Sequence, residues 1–120
     1  MPELPEVETV RRGLSHLLRG YRINEVQELH NRVRKNSSLS PISAVEGAQI
    51  MDVRRRGKFL WFELDRPEVL VAHLGMSGQF LFQQSDRPPP RHVRALFKIS
   101  RGLRKKELVL TTNELLVGSQ

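Results

Sequence analysis

Cysteine is missing altogether from the 120 residues. That excludes disulfides, thiol catalysis and a cysteine-held zinc site within this chain. Histidine does not fill the gap, because the four present (His16, His30, His73, His92) are scattered without ligand-like spacing. No metal site and no cofactor are therefore expected in this stretch. Aromatic residues are few, at 6% with one Trp and one Tyr. No basic amphipathic helix carries the large aromatic anchors that an anionic membrane surface would require. No apolar run is long enough to span a bilayer and no signal peptide leads the chain, so the cytosol is the default expectation.

What the chain has in excess is positive charge. Lys and Arg number 20 against 13 Asp and Glu, a net charge of +7, with an isoelectric point near 10.8. Such a domain is drawn to polyanions. The length and a hydrophobic content of 38% suit one domain with a modest core. No internal repeat breaks it up.

The first twenty residues organise the rest. Val7, Val10, Leu14, Leu17 and Leu18 recur at helical spacing, one face of an amphipathic helix. Glu3, Glu6 and Glu8 open it, Arg11, Arg12 and Arg19 close it, and Gly20 suits a C-terminal cap. If Met1 is trimmed, which the small Pro2 permits, the chain begins with a secondary amine. Such an amine condenses with an aldehyde-level carbon to give an iminium without passing through a neutral imine. The positive helix end disfavours the protonated amine; Glu3 and Glu6 push the other way, and either could carry protons. The plain alternative is that Pro and Glu simply start a helix, where both are common.

Short strands follow. Residues 21–29 read as a strand, 31–41 as a polar loop, and 42–45 as a turn. Residues 49–55 alternate until Gly57 breaks the pattern. Residues 58–64 are a dense apolar run, a central strand whose antiparallel partner is 68–74. Residues 79–83 and 93–99 add two strands around an exposed loop at 85–91, where Pro88, Pro89 and Pro90 cannot serve a ladder. Residues 100–106 read as a basic turn and 107–111 as the final strand. The predicted class is α+β, mainly β: a two-layer antiparallel β-sandwich with a packed amino-terminal helix.

Three segments carry a resemblance. The run from Pro2 through Glu3, Pro5, Glu6, Glu8 and Arg12 to Leu14 resembles the amino terminus of the Fpg/Nei family of DNA glycosylases, on its formamidopyrimidine-DNA glycosylase branch. Arg54-Arg55-Arg56-Gly57-Lys58 resembles the family's basic turn with a buried lysine, and His73-Leu74-Gly75-Met76-Ser77-Gly78 its methionine loop. His92-Val93 is a weaker fourth match. The resemblance implies base-excision repair on damaged double-stranded DNA by a cytoplasmic, nucleoid-associated bacterial-type monomer that removes oxidised purines (8-oxoguanine and formamidopyrimidine).

It also implies roles. Pro2 attacks the sugar C1′ of a flipped nucleotide, expels the base and leaves an iminium, after which elimination cuts the strand. Glu3 assists ring opening near O4′, and Glu6 positions the amino terminus. Lys58 reaches the phosphates beside the lesion and aids proton transfer; its plain alternative is a strand-edge lysine. Arg54, Arg55 and Arg56 contact phosphates, or are merely solvated. Met76 fills the gap left by the flipped base, or packs in a core. His92 contacts DNA, or is a turn residue; His73 is structural. A non-catalytic basic nucleic-acid-binding module is the alternative function, and an unstable product without a role is a third.

The resemblance weakens at residue 111. The family continues into an Asp-x-Arg-x-Phe-Gly loop that completes the wedge, whereas here Thr111 leads into Thr112-Asn113-Glu114-Leu115-Leu116. One permitted set of codons, read from the last base of the Thr111 codon, gives Asp-Gln-Arg-Thr-Phe-Gly. The expectation is a catalytic domain over 1–111 and a frameshifted tail over 112–120. The family's helix-two-turn-helix domain and four-cysteine zinc finger are expected to be absent, and the chain weakly active or inactive.

Overall fold

The computed structural model describes residues 3–28, 42–73, 80–84, 95–110 and 114–119. These form a helix, α1 (Glu3–Leu18), a 3-10 turn (Ile42–Val45) and eight strands. The strands are β1 (Arg22–Glu28), β2 (Ile50–Arg56), β3 (Phe59–Leu64), β4 (Glu68–His73), β5 (Phe80–Gln84), β6 (Ala95–Arg101), β7 (Arg104–Leu110) and β8 (Glu114–Ser119). They build two four-stranded sheets, ordered β1-β6-β7-β5 and β2-β3-β4-β8, with every neighbouring pair antiparallel. The predicted class is thus the one that forms. No helix among the described residues is long and apolar enough to cross a membrane.

Alternation along each strand decides which side chains meet between the sheets. In β3, Leu60, Phe62 and Leu64 are buried while Phe59, Trp61 and Glu63 look outward. Phe97, Ile99, Leu108 and Leu110 of one sheet join Val53, Leu60, Phe62, Leu70, Ala72, Leu115 and Val117 of the other in a single core. Val7, Leu14 and Leu18 of α1 complete it. Leu17, expected on the same face, is instead exposed at 44%. Its place is taken by Ser15, which is buried and donates to Asp52 Oδ1 at 2.6 Å. The helix stops where Gly20 adopts a left-handed φ of 91°, which lets its N–H reach the Ile50 carbonyl at 2.8 Å.

α1 lies along β2, the outermost strand of its sheet, and its polar side chains occupy that open edge. Arg11 donates to the Val53 carbonyl at 3.2 Å, and the Val53 N–H finds Asp52 Oδ1 at 2.8 Å. An edge strand otherwise offers unpaired backbone groups to any passing chain.

Three further expectations need correction. Residues 100–106 are not a basic turn: Arg101 pairs with Arg104 across a two-residue loop at Gly102 and Leu103, and Lys105 and Lys106 lie in β7. Charge suggested loop there, but those residues are exposed or half-buried on a strand that continues into Glu107–Leu110, which is buried. The strand over 107–111 is not the last, because β8 pairs with β4 from Glu68↔Ser119 to His73↔Glu114. The 111/112 boundary therefore falls between two strands of the fold. Lastly, Arg54–Arg56 end strand β2, and the turn itself is only Gly57 and Lys58. The loops expected over 31–41 and 85–91, and Val93, lie outside the described residues.

Candidate active site

The contacts between α1 and β2 run in sequence. Arg19 and Ser15 meet Asp52, Arg11 meets the Val53 carbonyl, and Glu8 meets Arg55. Moving toward the helix amino terminus thus means moving toward the end of β2. The head of α1 is a further rise of about 7.5 Å beyond Glu8, at 1.5 Å per residue. It points toward the hairpin that follows Arg56.

That hairpin is tight because Gly57 accepts a φ of 60°, which a two-residue loop between twisted strands requires. Lys58 stands half-buried at its tip. On the far side of β3, Phe59 pairs with His73 of β4, their ring centroids 4.8 Å apart. His73 ends β4 and leads into residues 74–79. One end of the second sheet therefore gathers the lysine turn and His73.

The three arginines separate by strand alternation. Arg55 turns to the helix: its Nε donates to Glu8 Oε1 at 2.9 Å and a terminal nitrogen to the Gly57 carbonyl at 3.2 Å. Arg54 and Arg56 turn to the outer face. There Arg54 Nε lies 3.5 Å from Glu63, and the Arg56 guanidinium is 5.9 Å from the Trp61 ring centroid. With Trp61 the three arginines line a shallow depression of about 160 Å³, positive and open enough for phosphate.

Glu8 is the anionic centre of the helix side. Besides Arg55 it accepts from Arg11 at 2.7 Å and from Arg12 at 3.3 Å. Hydrogen bonds from Arg11 first, then Arg55, hold its carboxyl down at about 2. Asp52 is likewise held at about 2, chiefly by the Ser15 hydroxyl and then by Arg19. Neither role was assigned from sequence. The Glu8–Arg11 and Glu8–Arg12 spacings were readable as helical pairs, but Arg55 and Asp52 reach the helix only through the tertiary fold.

These two depressed carboxyls make stability acid-sensitive. Each favours the fold above its unfolded value, 4.5 for Glu8 and 3.8 for Asp52, and loses that effect as pH falls toward about 2. The thermal midpoint is expected to fall between about pH 4.5 and pH 2. Asp52→Asn should melt lower than the parent at pH 7, with the gap closing at the acid end of that window. A gap independent of pH would contradict the assignment.

Pro2, Met76 and His92 lie outside the described residues. Glu3 and Glu6 belong to the first turns of α1. Among the described residues no three His, Asp or Glu side chains gather as a cation site. With no cysteine in the sequence, this stretch offers no ligands for a thiolate-bound zinc.

The comparisons agree with this architecture. The family described as formamidopyrimidine-DNA glycosylase N-terminal domain matches residues 1–113. The formamidopyrimidine-DNA glycosylase of Acidothermus cellulolyticus is 50% identical over 105 residues, covering 85% of this chain and 37% of that protein. That of Salinispora tropica is 48% identical over 103 residues, covering 83% of this chain and 36% of that protein. The chain thus spans little more than a third of these relatives. Among solved structures, the Lactococcus lactis Fpg bound to abasic-site DNA superposes with a TM-score of 0.83 at 27% identity, over 98% of this chain and 44% of that one. A complex of the same protein with tetrahydrofuran-containing DNA and an inhibitor gives 0.84 at 28% identity, over 99% and 44%. With the family's N-terminal domain matched over residues 1–113 and 50% identity to a relative over 105 aligned residues, the chain belongs to the formamidopyrimidine-DNA glycosylase family, in the part that forms the N-terminal domain.

Proposed function

We propose that this domain supplies the nucleophile and proton-transfer groups of a base-excision glycosylase and AP lyase acting on oxidised purines in double-stranded DNA. The observation that supports this most is the course of α1 along β2, which directs the helix head toward the turn holding Lys58. Pro2 is bonded to the first residue of that helix.

In this reading the Pro2 nitrogen, freed by removal of Met1, attacks C1′ of a flipped nucleotide. The glycosidic C–N bond breaks and the base departs with a proton. Glu3 protonates O4′ as the sugar ring opens, leaving an iminium between Pro2 and C1′. Elimination from the adjacent C2′ then expels the 3′ phosphate. Glu6 holds the amino terminus, Lys58 serves proton transfer and a flanking phosphate, and Met76 fills the vacated stack. Arg54 and Arg56 on the outer face, together with His92, hold the backbone. The Lactococcus lactis protein has been crystallised with DNA containing an N7-benzyl formamidopyrimidine, which favours a purine-derived lesion. We place the protein in the bacterial cytosol, on the nucleoid, as a monomer.

The test is borohydride trapping on abasic-site DNA, in which hydride reduces the iminium to a permanent amine link. The protein with Met1 removed, checked by mass, is expected to trap only weakly and without efficient turnover on duplex DNA. Pro2→Gly is expected to trap nothing while its salt-dependent DNA binding stays unchanged. Equal trapping by the variant would eliminate Pro2 as nucleophile; binding without trapping by the parent would favour a non-catalytic module.

A further inference from the structure

We propose that the Glu8–Arg55 pair is a strut that fixes the head of α1 against the Lys58 hairpin, making both positioning residues for the reaction. The inference rests on the reading of Pro2 and Lys58 given above. Its geometric basis is independent of it.

Of the three adjacent arginines, Arg55 is the one that bonds to α1. Its Nε donates to Glu8 Oε1 at 2.9 Å, and the same guanidinium donates to the Gly57 carbonyl at 3.2 Å. Gly57 immediately precedes Lys58. One planar side chain thus connects the second turn of α1 to the backbone of the lysine turn, which a lysine in its place could not do. Glu8 is in turn fixed by Arg11 at 2.7 Å, and Arg11 is anchored on the Val53 carbonyl. Both strut side chains keep more than a quarter of their surface exposed, 28% for Glu8 and 29% for Arg55. A global contribution to stability is accordingly small.

The position of the strut matters more than its strength. The other end of α1 is tied to β2 by Ser15 and Arg19 on Asp52. Releasing Arg55 therefore leaves the helix docked and loosens only its head. A reacting pair displaced by about 1 Å loses on the order of a hundredfold in rate.

Arg55→Gln and Glu8→Gln are each expected to slow single-turnover trapping on saturating abasic DNA by about tenfold, a fraction of that limit. For Arg55→Gln the loss of rate should exceed any loss of DNA affinity, because Arg54 and Arg56 still line the outer depression, and the thermal midpoint should stay near the parent value. Glu8→Gln also gives up its bonds to Arg11 and Arg12 and should melt lower. The double variant should be no slower than either single one, because both remove the same link. Trapping at the parent rate, or a loss of affinity in place of rate, would overturn the strut. The latter would make Arg55 a phosphate contact.

A second measurement covers the case in which the parent does not trap, which would sink the Pro2 reading alone. Reductive methylation with 13C-formaldehyde labels the amino-terminal nitrogen and lysine amines for NMR titration. Lys58→Gln should move the amino-terminal midpoint in the parent and leave it unmoved in Arg55→Gln. If the shift is the same in both backgrounds, or absent from the parent, the strut does not set that separation.

Discussion

Lys58→Gln is expected to slow borohydride trapping on abasic-site DNA by about a hundredfold, the lower end of what a positioned proton-transfer group contributes. Lys58 is half-buried at the tip of a two-residue loop, so its reach is limited by backbone that Gly57 and the Arg56↔Phe59 pair hold in place. Glutamine keeps the length and a hydrogen-bond donor but neither charge nor a transferable proton. The fold should tolerate the change, because the side chain is not part of the core. Lys58→Arg separates the two duties assigned to this residue. It retains a cation for phosphate and should bind DNA at the parent salt dependence, while trapping stays slow because guanidinium does not release its proton near neutral pH. Single-turnover rates at saturating DNA, read beside thermal midpoints, check both statements. A parent-like rate in Lys58→Gln would remove Lys58 from the chemistry.

Leu115→Ala is expected to be the most damaging single change in the last ten residues, costing about 2–5 kcal/mol. Leu115 is 3% exposed and faces Ala72 across the β4–β8 ladder, and Val117 beside Leu70 is 1% exposed. Truncation there opens a cavity between the sheets. Against a total stability of roughly 5–15 kcal/mol for a domain of this size, the loss is large. At about 4 °C per kcal/mol the midpoint should drop by on the order of 10–20 °C. Leu116→Ala, on the half-buried outer face of the same strand, should cost only about 1 kcal/mol. Equal midpoints for the two variants would mean that β8 does not dock through its inner face. The comparison also bears on the proposed domain limits, since a sandwich complete at residue 111 would not notice either change. Whether the tail arose by a frameshift is a separate proposal, tested by the nucleotides encoding residues 111–120.

Much of this fold was legible from pattern because alternation and helical spacing are local properties. Leu60, Phe62 and Leu64 announce the buried face of β3 without reference to any other strand. Gly20 announces the helix end, and the order Pro2, Lys58, Met76 announced the family. Errors arose where composition and environment diverge. Lys105 and Lys106 read as turn because lysine is common there, yet β6 supplies their ladder partners in Ser100 and Ile99. Leu115 and Val117 looked foreign to the family's pattern, but their two-residue spacing still meets the bare edge of β4.

What the sequence determined by itself was composition and kind: a basic chain with a proline at position 2 ahead of a helix whose first turns are acidic, and strands enough for a sandwich. Which of three neighbouring arginines meets α1 could not be read from identical side chains. The parity of β2 decided that, by placing Val53 in the core and so Arg55 on the same side. Likewise nothing in the chain pairs Glu8 with a residue 47 positions away; only helix packing on a sheet edge brings such charges together. Local periodicity is encoded along the chain, whereas contact between distant groups exists only after the entropy of closing the loop between them has been overcome.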